Sequence, residues 1–187
     1  MTSARRSLKV GIDAATWAND RGFGRFTRRL ATALAARDEG IAYTLVFDRA
    51  PTAEVPQGVE TLVAGARRSL NEAAVGDRAR SLFDLLKIAE AVRKAQFDVF
   101  FFPAVYSYFP LLAATPCVIC FHDATAERFP ELLFPTAMNR RLWNIKTVLA
   151  KAQATRAMTI SQSSARDLKD ILKIAPEKID LVTQGPH

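Results

Sequence analysis

The clearest candidate for chemistry in this chain is a His-Asp pair that directly follows an apolar segment. Val118-Ile-Cys-Phe121 carries no charge, and His122 and Asp123 come immediately after it. In open α/β folds, ligands bind at the carboxyl ends of strands. We therefore take His122 as a candidate catalytic residue, although a histidine after a strand can also simply satisfy a buried hydrogen bond. The chain has one other histidine, His187, at its last position.

A second candidate site lies in the segment Asp20-Arg-Gly-Phe-Gly-Arg25. Gly22 and Gly24 stand before a predicted helix, where glycine lets the backbone approach a ligand and unpaired N–H groups suit a phosphate. A dinucleotide fingerprint would place its first glycine directly after the strand and a third at position 27, which is Thr. We therefore discount nicotinamide binding. Phosphate contact and a merely flexible helix entry both remain open for the two glycines.

Cys117 and Cys120 form a C-x-x-C motif within a predicted strand. Side chains three residues apart on a strand point to opposite faces, so the pair cannot chelate one metal ion. A redox C-x-x-C would stand where a strand turns into a helix, so we predict two buried structural thiols. No second histidine or cysteine neighbours His122 at ligand spacing, and we predict no metal site.

Strands and helices alternate along the chain, which predicts an α/β fold with a largely parallel sheet and helices on both faces. Helices are predicted after the polar loop 14–22, near residues 77–95, from Pro135 to Thr155, and after a Ser161 cap. Residues 99–121 carry no charge, but prolines 103, 110 and 116 divide them into two strands and a connector rather than a membrane span. The predicted strands are Leu8–Asp13, Ala42–Phe47, Val59–Val63, Val99–Phe102, Cys117–Phe121, Ala157–Ile160 and Ile179–Val182.

Apolar side chains at helical spacing predict the buried faces of three of these helices. The first helix presents one such set, the second presents a longer one, and the last presents a third. These sets are Phe26, Leu30, Ala33 and Leu34; Leu82, Leu85, Leu86, Ala89 and Val92; and Ala165, Leu168, Ile171 and Leu172.

Length and composition fit one globular domain, since the 187 residues are 49% hydrophobic and 24% charged. The apolar run Leu8 to Ile12 is too short for a signal peptide, so we expect a cytoplasmic protein. The net charge of +7 is unevenly placed. Residues 1–37 hold eight basic and two acidic residues, and residues 132–166 hold six basic and none acidic. This pattern fits either a solvated helix face or attraction to an anion such as a nucleotide diphosphate or a lipid head group, whereas no nucleic-acid signature accompanies it.

Taken in order, several of these motifs resemble family 4 glycosyltransferases. They are Gly22-Phe-Gly-Arg-Phe-Thr27 at a helix entry, the strand ending in His122-Asp123 with Arg128-Phe-Pro-Glu-Leu132 beyond it, Thr159-Ile-Ser-Gln-Ser-Ser-Ala-Arg-Asp-Leu168, and Ala175-Pro-Glu-Lys-Ile-Asp-Leu-Val-Thr-Gln-Gly185. The resemblance covers nearly the whole chain. It rests on the ordered set and not on any one motif.

The resemblance implies one half of a GT-B architecture, in which two Rossmann-like domains face each other across a cleft. Residues 1–187 would be the single N-terminal domain, which binds the acceptor, and the C-terminal donor-binding domain would be absent from this chain. The implied activity is that of a retaining hexosyltransferase that moves a sugar from a UDP- or GDP-sugar to a glycan or glycolipid, without a cofactor, in envelope polysaccharide assembly. The chain alone would be inactive. Its location would be cytoplasmic, with peripheral contact with an anionic membrane.

The resemblance also implies roles for individual residues. Gly22 and Gly24 would meet the donor phosphates, His122 would lie beside the donor sugar, and Asp123 would border the acceptor. Arg25 resembles the arginine at the family's helix entry. Whether Arg25 contacts phosphate, acceptor or solvent is open at this point.

Four further residues are candidates because they stand in loops at the carboxyl ends of strands and because aromatic faces suit sugar rings. These are Trp17, Asn19, Tyr106 and Tyr108. For each of them, packing is an equal alternative. The alternative for the whole chain is a non-catalytic basic Rossmann-like module that binds an anionic membrane surface or a partner protein.

Overall fold

The structure is a computed structural model that describes residues 7–20, 22–37, 39–66 and 81–185. The chain divides into two compact units. Unit 1 consists of Met1–Pro103 with Leu111–Thr115, and unit 2 consists of Ala104–Pro110 with Pro116–His187.

Unit 1 is built on four parallel strands in the order β3-β2-β1-β4. Gly11 in the middle of β1 pairs with Thr44 on one side and with Phe100 on the other. The elements along the chain are β1 (Leu8–Asp13), α1 (Gly22–Ala35), β2 (Ile41–Phe47), β3 (Glu60–Val63), α2 (Leu82–Ala95) and β4 (Val99–Phe102).

The direction in which strands are added reverses at β1. The chain moves from β1 to β2 and β3 on one side, and then crosses back to place β4 on the other side of β1. Because crossovers between parallel strands are right-handed, this reversal puts α1 and α2 on opposite faces of the sheet. The carboxyl ends of β1 and β4 therefore border a position at which ligands commonly bind in such folds.

Unit 2 contains three parallel strands in the order β5-β6-β7, with Ala157 paired to Ile119 and to Ile179. Its elements are a 3-10 turn (Val105–Ser107), β5 (Cys117–Cys120), α3 (Thr125–Arg128), α4 (Pro130–Leu133), α5 (Ala137–Gln153), β6 (Arg156–Thr159), α6 (Gln162–Asp170), a second 3-10 turn (Pro176–Lys178) and β7 (Ile179–Leu181). Helices α3 and α4 were not predicted, because four residues are too few to show an apolar period.

The predicted α/β, Rossmann-like fold with a parallel sheet is confirmed. All seven predicted strands are found, each end within one residue of its predicted position. The predicted Ser161 cap is also confirmed, because its hydroxyl accepts a hydrogen bond from the Ser164 N–H at 3.0 Å. Of the predicted face of α6, Leu168 is buried and Leu172, just beyond the helix, is buried as well.

The predicted buried face of α1 is partly wrong. Ala33 is exposed, and the fully buried residues are instead Gly24, Thr27 and Ala31. None of these three has a large apolar side chain, so the apolar pattern could not reveal them. Close approach of the helix backbone to its surroundings, rather than burial of large side chains, sets this face.

The predicted face of α2 is also partly wrong, because Leu82 is 79% exposed and Leu86 is 56% exposed. Asp84 is buried in their place. Its backbone N–H donates to the Ser81 hydroxyl at 3.1 Å, and that hydroxyl donates to the Asp84 carboxylate at 2.9 Å. This capping arrangement satisfies a polar side chain at the helix start and rotates the first leucines outward. Residues 77–80 of the predicted helix lie outside the described residues.

The two cysteines are buried, free thiols, as predicted from their place in a strand. The Cys117 thiol donates to the Gln153 carbonyl oxygen at 3.1 Å. Burial raises the pKa of Cys117, and it raises the pKa of Cys120 to about 12. A thiol held in its protonated form is a weak nucleophile.

The charge-free run 99–121 folds into β4, β5 and the connector between them. No helix in the described ranges has both the length and the apolar character needed to cross a membrane.

We predict that neither cysteine reacts with a disulfide reagent while the chain is folded, since burial keeps both thiols protonated and covered. The measurement is labelling with and without denaturant, in which the denatured chain should show two reactive thiols. A Cys120→Ala chain assigns any remaining reaction to Cys117. Rapid labelling of either cysteine in the native chain would contradict the buried, structural role.

Candidate functional site

The loop that follows β1 turns sharply at its start. Asp13, the last residue of β1, is buried, and its carboxylate accepts a hydrogen bond from the Ala15 N–H at 3.3 Å. Two further turns follow, in which the Trp17 N–H donates to the Ala14 carbonyl and the Asn19 N–H donates to the Thr16 carbonyl, each at 2.9 Å. These contacts keep residues 13–19 compact at the carboxyl end of β1.

Helix α1 begins against this loop at a point where only glycine fits. A Cβ atom on Gly24 would lie 1.9 Å from the Asn19 carbonyl oxygen and 2.6 Å from the Thr16 carbonyl oxygen. Both neighbours are backbone atoms, so they cannot move aside as a flexible side chain would. Gly22 has no atom within 4 Å of the corresponding position. The two glycines therefore differ, because Gly24 joins the helix to the loop and Gly22 is open.

A short chain of hydroxyl groups fastens the loop to α1. The Thr27 hydroxyl donates to the Phe23 carbonyl oxygen at 2.9 Å and lies 2.8 Å from the Thr16 hydroxyl. Since a hydroxyl has one proton, Thr16 is the donor in the second contact. Both threonines are buried, and the bonds satisfy polar groups that would otherwise be costly there.

Arg28 of α1 holds the rest of the loop. Its guanidinium donates to the Trp17 carbonyl oxygen and, at 3.2 Å, to the Asn19 carbonyl oxygen. It also lies 3.9 Å from the Asp20 carboxylate. Three predicted site residues, Trp17, Asn19 and Gly24, are thus brought together by one helix end.

Trp17 is buried, and its ring packs edge-to-face on Phe47 with a centroid distance of 5.9 Å. Its indole N–H donates to the Glu54 carbonyl oxygen at 3.1 Å. These contacts agree with packing, yet Trp17 also borders a cavity of about 250 Å³ at the carboxyl ends of β1 and β2. The cavity is lined by residues 14, 15, 17 and 18 of the first loop and by residues 47–52 of the second.

His122 lies one residue beyond Phe121 at the carboxyl end of β5 and is half-buried. Asp123 is exposed, and its carboxylate accepts a hydrogen bond from the Thr125 N–H at 2.8 Å, at the start of α3. The His-Asp pair therefore sits where strand, loop and short helix meet.

Helix α3 anchors this loop to two longer helices. The Glu127 carboxylate accepts hydrogen bonds from the Trp143 indole at 2.7 Å and from the Thr147 hydroxyl at 3.3 Å, both on α5. Arg128 forms an ion pair with Asp167 of α6. These partners hold the segment after His122, and sequence reasoning missed them, because each contact joins residues at least 16 positions apart.

The two tyrosines of the connector point to different surroundings. Tyr106 is 48% exposed, with its ring 5.4 Å from that of Trp143 and the Lys146 ammonium 6.0 Å from its centroid. Tyr108 is buried, its hydroxyl donates to the Gln153 side chain at 2.7 Å, and burial raises its pKa. The contacts of Tyr108 agree with packing. The acceptor-binding role stays a prediction for both tyrosines.

The remaining predicted residues are exposed. Arg25 is exposed in the first turn of α1 and makes no hydrogen bond or ion pair within the described ranges. In the part of the chain that the structure describes, no cluster of three or more His, Cys, Asp or Glu side chains could hold a metal ion. The roles of Gly22, Gly24, Arg25, His122 and Asp123 in binding or catalysis remain predictions.

We predict that Gly24→Ala destabilises the chain by about 1–3 kcal/mol or more, because the added methyl group meets two backbone carbonyl oxygens. Gly22→Ala is the matched control and should leave stability unchanged or slightly increased, since the position is open. Denaturant unfolding of both variants measures the difference. Equal stability of the two variants would contradict a packing role for Gly24.

Residues 21–185 match the family model described as Glycosyltransferase Family 4, which is most of the chain and includes α1, the His-Asp loop and α6. No curated protein matches the chain significantly. The chain belongs to glycosyltransferase family 4.

Proposed function

We propose that this chain is the acceptor-side domain of a retaining glycosyltransferase that moves a sugar from a nucleotide-sugar donor to a glycan or glycolipid. The observation that carries the proposal is the position of His122 at the carboxyl end of β5, in a chain that belongs to a glycosyl-transfer family. In this proposal, His122 lies beside the donor sugar and helps to organise the reacting centre. The contacts of Glu127 and Arg128 in α3 would limit movement of the loop that carries His122.

Different roles follow for the two glycines of α1. Gly22 is exposed at the start of the helix with open space around it, so a donor phosphate could reach the backbone there. Gly24 would act indirectly, because its lack of a side chain lets the loop after β1 lie against the helix. Arg25 is exposed next to them and would add positive charge near the diphosphate.

The acceptor would be bound by the loops at the strand ends. Trp17 borders the cavity in unit 1, which also has Asp48 and Arg49 in its lining, and such polar groups around an apolar wall suit a sugar. The other residues proposed to contact an acceptor are Asn19 in unit 1 and Tyr106, Tyr108 and Asp123 in unit 2. The substrate would be a UDP- or GDP-sugar of the hexose type, and the product an envelope polysaccharide or glycolipid made at the cytoplasmic face of a membrane.

Transfer would also need a donor-binding domain. Charge that develops on the leaving diphosphate must be stabilised by preorganised groups, and the proposal assigns most of those groups to the second half of a GT-B enzyme. The chain by itself would therefore bind acceptor without transferring sugar.

We expect His122→Ala to lower transfer by about a hundredfold or more, the usual loss when one stabilising group at a reacting centre is removed. The measurement is nucleotide release from a panel of UDP- and GDP-sugars by the enzyme that contains this chain together with its donor-binding domain. His187→Ala is the matched control, because it removes the only other histidine.

Full activity of the His122→Ala enzyme would refute the proposed role of His122. Absence of nucleotide release with every sugar, in an enzyme that carries both domains, would instead favour the alternative of a non-catalytic binding module.

A further inference from the structure

Helix α5 exposes an apolar stripe along most of its length. Met138, Leu142, Ile145 and Leu149 follow the spacing i, i+4, i+7 and i+11, which puts them on one face of the helix. They are between 42% and 60% exposed, and Val148 beside them is 58% exposed. The opposite face carries the buried Thr147 and Ala150. The large apolar side chains of this helix therefore face solvent, whereas its buried side carries a threonine and an alanine.

The preceding short helix also exposes apolar side chains. Leu132 and Leu133 of α4 are 77% and 50% exposed, only a few residues before Met138. A 17-residue helix is about 25 Å long, so the stripe on α5 extends over several turns. Contiguous exposed apolar surface of this kind usually marks a site of interaction.

The segment that carries this stripe has charges of one sign only. Residues 132–153 contain Arg140, Arg141, Lys146 and Lys151 and no acidic residue. Arg141 is next to the stripe, at i+3 from Met138 and i−4 from Ile145. Arg140 is seven residues before the buried Thr147 and therefore lies on the side of the helix opposite the stripe. Arg141 makes no hydrogen bond or ion pair within the described ranges, so its guanidinium group is available to an anionic partner.

We propose that the exposed face of α4 and α5 is a docking surface for an anionic phospholipid membrane. Helices of this type lie in the plane of a membrane interface, with the apolar side chains inserted and the basic ones against the head groups. The apolar stripe would supply the insertion, and Arg141 would supply the preference for anionic lipid.

A second copy of the chain is another occupant that an apolar helix face could accept. Pairing α5 with another α5 would bring two acid-free basic segments together, with no carboxylate on the helix to face Arg141. Like charges at a contact are unfavourable, whereas the negative head groups of anionic lipids would face the basic side chains favourably. Charge complementarity thus favours the membrane.

This docking surface would place the proposed glycosyltransferase at a membrane. The membrane contact does not depend on the proposed function, and only its biological purpose rests on that function. Helix α4 begins seven residues after Asp123, in the same unit as the His-Asp loop. Docking through α4 and α5 would bring this loop to the membrane surface, where a lipid-linked acceptor resides. The membrane contact itself can be measured without donor, acceptor or transfer.

The test is sedimentation of the chain with vesicles of phosphatidylcholine alone and of phosphatidylcholine mixed with phosphatidylglycerol. We expect binding to the mixed vesicles, and we expect Ile145→Glu to lower partitioning at least about tenfold by removing an inserted apolar side chain. Leu112→Glu is the matched control, since Leu112 is 50% exposed and lies in unit 1. Arg141→Gln should lower partitioning about fivefold, whereas Arg29→Gln on α1 should not.

Circular dichroism of each variant checks that the fold is retained. Three outcomes would overturn the proposal. They are failure to bind the mixed vesicles, equal binding by the Ile145→Glu and unchanged chains, and a dimer in sedimentation equilibrium that Ile145→Glu dissolves, which would assign the face to a second copy. Because vesicle binding needs no sugar, loss of the proposed glycosyl transfer would leave this result unchanged, and the two failures are distinguishable.

Discussion

Parallel strands must be covered on both faces, and this constraint sets the positions of everything else in the chain. Strands β4 and β5 carry only apolar or thiol side chains, so neither can face water on one side. In unit 1, the reversal of strand order at β1 provides helices for both faces. A parallel arrangement also collects the carboxyl ends of the strands of each unit at one edge, which is why the loops after β1 and β5 carry the candidate residues.

Backbone contacts, more than side-chain packing, shape the loop after β1. Gly24 allows α1 to begin against the Thr16 and Asn19 carbonyl groups, and Thr27 and Arg28 then bond to the same loop. A loop held in this way has few alternative conformations, so a ligand that meets it loses little by ordering it. The loop after β5 is also held in one conformation, but by the side chains of Glu127 and Arg128. Both candidate loops are thus pre-ordered by contacts within their own unit.

The strands were predicted to within one residue because an apolar run bounded by polar residues or prolines is a local signal. The candidate loops were also predicted, since they follow those strands. The packing that supports them was not. Gly24 appeared only as one of two equivalent glycines, and the carbonyl oxygens that it approaches belong to a loop whose course the sequence does not reveal. Leu82 and Leu86 have the spacing of buried residues, yet the Ser81 cap and the buried Asp84 turn them outward. In each of these cases, contacts that the apolar pattern does not encode decided which residues are buried.

The chain therefore combines a family 4 glycosyltransferase fold with a basic, apolar helix face near the loop that carries His122. The central claim of the proposal is that this chain supplies the acceptor side and leaves most of the donor-binding groups to another domain. The most direct measurement is calorimetric titration of the chain alone with UDP-glucose and with GDP-mannose. The account predicts no saturable binding of either below about 1 mM, the upper end of common KM values. A dissociation constant far below that value for either nucleotide sugar would contradict it, because the donor site would then lie within this chain.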